Sequence, residues 1–215
     1  MTQASPCLNF LNPVSAGQMI GLMLAALLVS GCAVSGPKYL DLYYPAAMTS
    51  PERTRSAGLT RFTDKRINKT KGYVGFRQLS ENSREIFAVS DQDLASTLTR
   101  VSRSFLEQKG FKVSLIPAWP ITAQGVSSTP PHLTRVLTAD INQFECRAKK
   151  NRLLTDMTLV IDLTFYLGAP DKKQLTIIPI VLTLTRKEWH FSRKKLEIFI
   201  NESLAEILAK ALPFN

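Results

Sequence analysis

Apolar and polar residues alternate along a long stretch in the second half of the chain. This alternation predicts a strand with one buried face, because successive side chains of a strand point to opposite sides. The apolar positions are Leu153, Met157, Leu159, Ile161, Leu163, Phe165 and Leu167. After a turn at 168–171, apolar residues resume on a predicted return strand at Ile178, Ile180, Leu182 and Leu184. Pro179 has no amide hydrogen, which favours an edge position or a bulge in that return strand.

Two other segments have the spacing of amphipathic helices. The first is predicted over about 91–109 and the second over about 197–212. Ser90 and Asp93 have the spacing of a capping box at the start of the first helix, and Gly110 supplies a left-handed stop at its end. The apolar stripe of the first helix consists of Leu94, Leu98, Val101 and Phe105.

Shorter alternating segments predict further strands at 73–77, at 111–115 and within 133–146. Together these elements predict an α+β domain over 72–215. Its two layers would be a mostly antiparallel sheet of four to five strands and the two amphipathic helices packed on it. A chain of this length can bury one sufficient core without disulfides.

The N-terminal segment differs from the rest in charge. Residues 1–31 contain no charged side chain, so the formal net charge of +10 belongs to the remainder. The apolar stretch 19–29 would rise only about 16 Å as a helix, which is too short to cross a bilayer core of about 30 Å. It has the length of the apolar region of a secretory signal, although residues 1–18 lack the usual Lys or Arg. The alternative is a buried core helix followed by a buried cysteine.

The order Leu28-Val29-Ser30-Gly31-Cys32 resembles the lipobox of bacterial lipoproteins. The resemblance implies that 1–31 is a signal peptide and that Cys32 is acylated and becomes the first residue of the mature protein. Ala33 in place of Asp resembles the class sorted to the outer membrane. Two or three acyl chains hold a protein on a bilayer essentially permanently. The predicted location is therefore the periplasmic face of the outer membrane.

Residues 32–71 lack sustained periodicity and contain several prolines, which predicts a lipid-anchored basic tether with little structure. The alternation over 39–44 fits either an edge strand of the domain or an aromatic strip that docks on a partner. Smaller basic clusters occur at 147–152 and 193–195. Nucleic acid would use the same charges, but export argues against that partner. The candidate contacts to a partner or an anionic lipid surface, with a plain solvated surface as the alternative, are Arg61, Lys65, Arg66, Lys69 and Lys71.

A Pro-, Ser- and Thr-rich loop at 117–131 separates two predicted strands. Its Trp119 is a candidate anchor for a partner. The alternative is that Trp119 packs on the open end of its own domain.

The sequence contains no nucleophile, phosphate-binding or zinc-protease motif, so we expect neither an enzyme nor a cofactor or metal site. A hydrolase would require His132 or His190 to lie within hydrogen-bond reach of one of the polar-face aspartates. Cys146 is either a buried core residue or a thiol activated by neighbouring basic residues. The polar-face aspartates are Asp140, Asp156 and Asp162.

The order of elements, with Lys109-Gly110-Phe111 closing the first helix, resembles YajG-type outer-membrane lipoproteins over about 72–212. A looser similarity is to the auxiliary lipoproteins of lipid-export ABC systems. These resemblances imply non-enzymatic periplasmic domains that act on partners or lipids. The predicted function is a subunit or scaffold of an envelope assembly, such as a secretion, pilus, flagellar or transport complex. The alternative is a lipid- or glycolipid-binding accessory protein.

Overall fold

The computed structural model describes residues 36–45, 54–67, 70–90 and 93–212, and residues 36–215 belong to one compact unit. Within the described ranges the chain forms nine strands and three α-helices. The strands are β1 Lys38–Leu40, β2 Arg55–Leu59, β3 Thr63–Asp64, β4 Tyr73–Ser80, β5 Ser83–Val89, β6 Phe111–Leu115, β7 Arg135–Asn151, β8 Leu154–Ala169 and β9 Gln174–Glu188. The helices are α1 Leu94–Gln108, α2 Ala123–Ser127 and α3 Arg193–Ala211, and a 3-10 turn Pro170–Lys172 joins β8 to β9.

The central element of the sheet is β7. Along one edge it pairs antiparallel with β8 over its whole length, from Val136↔Gly168 to Asn151↔Leu154, and β9 adds to β8. Along its other edge β7 pairs in turn with β2, β3 and β4, all parallel to it. Beyond these strands, β6 adds parallel to β2, and β5 and then β1 follow β4.

The α+β class is therefore confirmed, but the predicted sheet was too small and too antiparallel. The described sheet has nine strands in a mixed arrangement and curls into a half-barrel. The prediction failed because parallel pairing joins strands that are far apart in the sequence, and such pairing leaves no local pattern. The hairpin partner of β4 and the short helix α2 were also missing from the prediction.

The structure contradicts the prediction that 32–71 has little structure. β1, β2 and β3 all come from this segment and contribute to the sheet. Their apolar side chains are buried, although basic residues between them hide the alternation. The buried residues are Leu40, Leu42, Ala57, Leu59 and Phe62. β1 is an edge strand beside β5, which agrees with the edge-strand interpretation of 39–44 for its first part.

Both predicted helices are confirmed, with changes at their starts. The N-cap of α1 is Asp93 rather than Ser90, and its side chain accepts from the amide of Ser96 at 2.7 Å. Gly110 has the predicted left-handed conformation, with φ of 82°. α3 begins four residues before the predicted boundary because Ser192 accepts from the amide of Lys195 and caps it earlier.

The core lies between one face of the sheet and the helices α1 and α3. The alternation of β8 is confirmed, because its odd apolar residues from Met157 to Phe165 are all buried. Leu153 is the exception. It precedes β8 in the turn and is 73% exposed. None of the described helices has the length and apolar content that a membrane crossing requires.

Candidate partner-binding surface

Several predicted cations meet in one open cleft of about 520 Å³ between the β2–β3 segment and the start of α1. Of the predicted contacts, Arg61, Arg66 and Lys71 line it, while Lys65 stands outside it and Lys69 lies outside the described residues. Two carboxylates, Asp64 and Asp93, share the cleft. The remaining lining residues are Thr60, Phe62, Thr63, Ala95, Ile116 and Ala118.

Arg66 is not available to a partner or a lipid surface, contrary to the prediction. Its side chain is only 3% exposed. The guanidinium binds both carboxylate oxygens of Asp64 at 2.8 Å and donates to the carbonyl oxygens of Tyr73 and Phe144. Burial alone would raise the pKa of Asp64, but these hydrogen bonds outweigh it and hold the pKa below its usual value. Arg66 therefore holds strands together.

Arg61 and Lys65 are exposed but already paired. Arg61 donates to Asp93 and to the hydroxyl of Ser96 at 3.1 Å, and Lys65 donates to Asp140 at 2.7 Å. The hydrogen bond to Asp140 raises the pKa of Lys65. For Asp93, burial acts to raise the pKa, but hydrogen bonds from Ser96 and Arg61 lower it overall. Exposed pairs of this kind contribute little to stability, because water and salt screen them.

Among the described residues that line the cleft, Lys71 is the cation without a hydrogen bond or ion pair to its ammonium. The charges of Arg61 and Arg66 are neutralised by those of Asp93 and Asp64. The cleft is therefore not the free basic patch that the sequence predicted. In the sequence, Asp64 stands two residues before Arg66 and could have indicated that pair. Asp93 is 32 positions from Arg61, so only the fold shows that second pair.

Trp119 is not exposed as a partner anchor. It is 8% exposed and packs in a small second cluster with Val126, Leu133 and Val136. The loop folds back because α2 covers this part of the sheet, and Gly125 permits its close approach. A Cβ at Gly125 would lie 2.1 Å from the carbonyl oxygen of Pro120. The alternative interpretation, packing against the domain itself, is confirmed.

The residues considered for catalysis do not form one site. His132 precedes β7 and His190 follows β9, so they lie at opposite ends of the β7–β9 ribbon, and both are exposed. Asp140 accepts from Lys65 and Tyr166, and Asp162 accepts from Asn142. Among the described residues, no hydrogen bond joins either histidine to these aspartates.

Cys146 lies in the core, as one of the two interpretations predicted. It is fully buried in β7, and this burial raises the pKa of its thiol to about 12. The basic side chain nearest in sequence, Arg147, belongs to the opposite face of the strand and is ion-paired with Glu145 at 2.9 Å, so it does not activate the thiol. A reactive thiol at this position is excluded.

One small cavity lies between the helices and the sheet. It is lined by Phe62, Leu98 and Leu163 among other described residues and measures about 10 Å³. Ligand pockets are larger by well over tenfold, about 300 Å³ or more. This cavity is therefore too small for an acyl chain.

The strand β9 forms a long free edge. It has 15 residues and pairs with β8 alone among the described strands. At about 3.4 Å per residue this edge is about 50 Å long. The other two edges, β1 and β6, have three and five residues. Short edge strands are a common protection against unwanted pairing, whereas a long edge is a template for another strand.

The middle of β9 is aliphatic on both faces. Ile178 and Ile180 face the core, opposite Phe165 and Leu163 of β8. On the other face, Ile177 is 55% exposed and Val181 is 71% exposed, and Leu182 on the core side is 38% exposed. A strand that is apolar on both faces is typical of the interior of a sheet. The run 177–182 was the sequence feature that could have revealed this surface.

No protein-family model matches the chain, and no curated protein matches it either. Solved structures do. Protein XCC0632 from Xanthomonas campestris, of the family-model DUF330, is 11% identical, with a TM-score of 0.50 and coverage of 82% of this chain and 95% of that one. A crystal structure described as an uncharacterized protein is 15% identical, with a TM-score of 0.49 and coverages of 80% and 96%.

A more distant neighbour is lipoprotein GNA1162 from Neisseria meningitidis. It is 8% identical, with a TM-score of 0.30 and coverages of 71% and 97%. The resemblance to YajG-type lipoproteins stays a prediction. The comparison with XCC0632 shows that this chain shares the fold of a DUF330 protein.

Proposed function

We propose that this chain is a non-enzymatic lipoprotein of the bacterial envelope, anchored at the outer membrane through Cys32, which binds a protein of an envelope assembly. The order of residues 28–32 supports the anchor, and the free edge of β9 supports the binding role. The partner segment adds to β9 as a further strand. Backbone hydrogen bonds then supply affinity, and the exposed aliphatic side chains supply selectivity.

One observation carries the proposal: β9 has the aliphatic composition of a strand inside a sheet, but it lies at the edge of the described sheet. Its residues 177–182 are all aliphatic or proline, yet only one side of the strand is paired. Covering this edge removes apolar surface from water, at about 25 cal/mol for each Å² buried. Pro179 reduces the number of amides that a partner strand can use, which makes pairing selective.

Charge favours a partner over a second copy of the chain. Exposed Lys172 and Lys173 precede β9, while Arg186 and Lys187 lie near its other end. Because Arg186 is already paired with Glu202 at 2.6 Å, the free charge near the other end is Lys187, and in a two-fold antiparallel pair the lysine end of one strand would meet Lys187 of the other. A segment with an aliphatic centre and acidic flanks meets opposite charges at both ends instead.

A photoreactive amino acid at Val181 tests this proposal in cells. We expect a crosslink to an envelope protein through an aliphatic segment with acidic flanks, identified by mass spectrometry of the crosslinked peptide. The same probe at Ala209, which is exposed on α3, is the control and should give no such product. Val181→Lys should abolish the complex, because it places a charge in the middle of the exposed aliphatic run at the edge where the partner strand would add. A self-crosslink as the main product would contradict the proposal.

The anchor is tested separately with a palmitate analogue. We expect labelling of the natural chain and no labelling of Cys32→Ala. Labelling that survives Cys32→Ala, or no labelling of the natural chain, would contradict the anchor without affecting the test of β9.

A further inference from the structure

Three connections of the fold lie at one end of the sheet. Gln78 of β4 pairs with Lys149 of β7, so the β4–β5 turn lies beside the β7–β8 turn. Thr155 pairs with Glu188, so the link from β9 to α3 begins there too. We call this the hairpin end and define it by the connections 79–84, 149–154 and 187–194.

Each connection of the hairpin end exposes one large apolar side chain. Leu79 is 55% exposed, Leu153 is 73% exposed and Trp189 is 66% exposed. Scattered exposed apolar residues are ordinary on a protein surface, but these three share one end of the sheet. Trp is the residue that favours the headgroup level of a bilayer, because its ring is apolar and its N–H is polar.

The two smaller basic clusters of the sequence, 147–152 and 193–195, both lie at the hairpin end. Lys149, Lys150, Arg152 and Lys187 are exposed, and their side chains make no hydrogen bond or ion pair with the described part of the chain. The nearby carboxylates are mostly paired: Glu188 accepts from Lys195 at 2.7 Å. Glu197 lies within 3.8 Å of basic side chains at the start of α3. Glu81 is exposed. The free charge of this end is therefore positive.

We infer that the hairpin end rests on an anionic phospholipid bilayer, with Trp189 and Leu153 at the headgroup level and the free cations against lipid phosphates. The exposed apolar side chains and the free cations carry this inference, independently of the lipid anchor of the proposed function. Each Lys or Arg near such a surface is attracted to it, and salt weakens the attraction. This placement leaves the long edge of β9 rising from the membrane and open to a partner.

Trp189 reports the placement directly. The full protein, processed and purified from its host, is reconstituted in vesicles of three parts phosphatidylcholine to one part phosphatidylglycerol, with or without bromine on the acyl chains. We expect bromine to quench part of the tryptophan emission, and we expect this loss to disappear in Trp189→Phe. The buried Trp119 remains in that variant as an internal control. Equal emission in brominated and plain vesicles overturns the inference.

Charge is tested with matched variants. Lys149→Gln, Lys150→Gln and Arg152→Gln together should reduce the quenching, and so should high salt or vesicles of phosphatidylcholine alone. The control variant removes three exposed cations elsewhere, Lys112, Lys172 and Lys173, and should quench like the natural protein. Equal quenching by both triple variants overturns the role of the hairpin-end cations.

The mass of the N-terminal peptide separates this inference from the proposed anchor. Acylated Cys32 with unquenched Trp189 overturns the membrane placement and leaves the anchor intact. Unmodified Cys32 with quenched Trp189 overturns the anchor and supports the membrane-binding surface.

Discussion

The guanidinium of Arg66 donates to the carbonyl oxygen of Phe144 at 3.2 Å, across 78 positions of sequence. Phe144 lies between the β7 residues that pair with β3, Asp140 and Ile141, and those that pair with β4, which begin at Cys146. A second donation from Arg66 reaches the carbonyl of Tyr73 at 2.7 Å. The buried Arg66 side chain therefore supplies a hydrogen bond to β7 in the gap between the residues that pair with β3 and those that pair with β4.

Arg66→Ala should lower the free energy of unfolding by about 3 kcal/mol, because it leaves Asp64 and two carbonyl groups without their buried donor. Arg66→Lys should recover only part of this, since an ammonium lacks the planar fork of donors. The control is Arg61→Ala, whose side chain is 63% exposed, with an expected loss below about 1 kcal/mol. Urea unfolding measures all three, and equal losses for the two alanine variants would contradict the assignment.

Acid should destabilise the protein through Asp64 and Asp93. Their folded-state pKa values are lowered, so the stability they contribute is present above the unfolded pKa of about 4 and is lost as the pH falls through the folded pKa. Urea unfolding at a series of pH values should show this decline. In Asp64→Asn and Asp93→Asn the decline should be shallower, and an unchanged slope in both would show that these pairs are not linked to folding.

Cys146 should resist alkylation in the folded protein. With a pKa of about 12 and no exposure, its thiol is protonated and inaccessible at pH values where a free cysteine reacts. Iodoacetamide followed by peptide mapping should find it unmodified until urea unfolds the chain. Ser114→Cys, at an exposed position of β6, should react at once under the same conditions. Comparable native rates at the two positions would contradict the burial of Cys146.

Gly75→Ala should destabilise the contact of β4 with β7. A Cβ at this position would lie 1.8 Å from the carbonyl oxygen of Cys146, a backbone atom that cannot turn aside. We expect a loss of about 1–3 kcal/mol or more, as in other overpacked sites. Gly36→Ala is the matched control, because nothing lies within 4 Å of the added carbon, and its effect should stay below about 0.5 kcal/mol. Thermal or urea unfolding distinguishes them, and a neutral Gly75→Ala would show that β4 can shift without cost.

The local elements were predictable because their evidence is local. The alternation of β8, the apolar stripe of α1 and the stop at Gly110 each depend on residues within one segment, and the structure has them where the pattern placed them. Of the two interpretations that Pro179 allowed, an edge position or a bulge, the structure has the edge position among the described strands. The uncharged segment 1–31 and the lipobox order are also properties of the sequence alone, and they support the proposed anchor.

Only the tertiary structure decided which charges are free. Arg61 and Arg66 appeared as part of a basic tether, but the fold brings Asp93 to Arg61 and Asp64 to Arg66, and it buries the Arg66 side chain. The fold also buries Trp119 and brings 149–152 beside 187–194 at one end of the sheet. Periodicity reports the side of an element that faces the core, whereas charge pairing depends on which distant strands become neighbours. That choice is made by parallel pairing on β7, which no local pattern records.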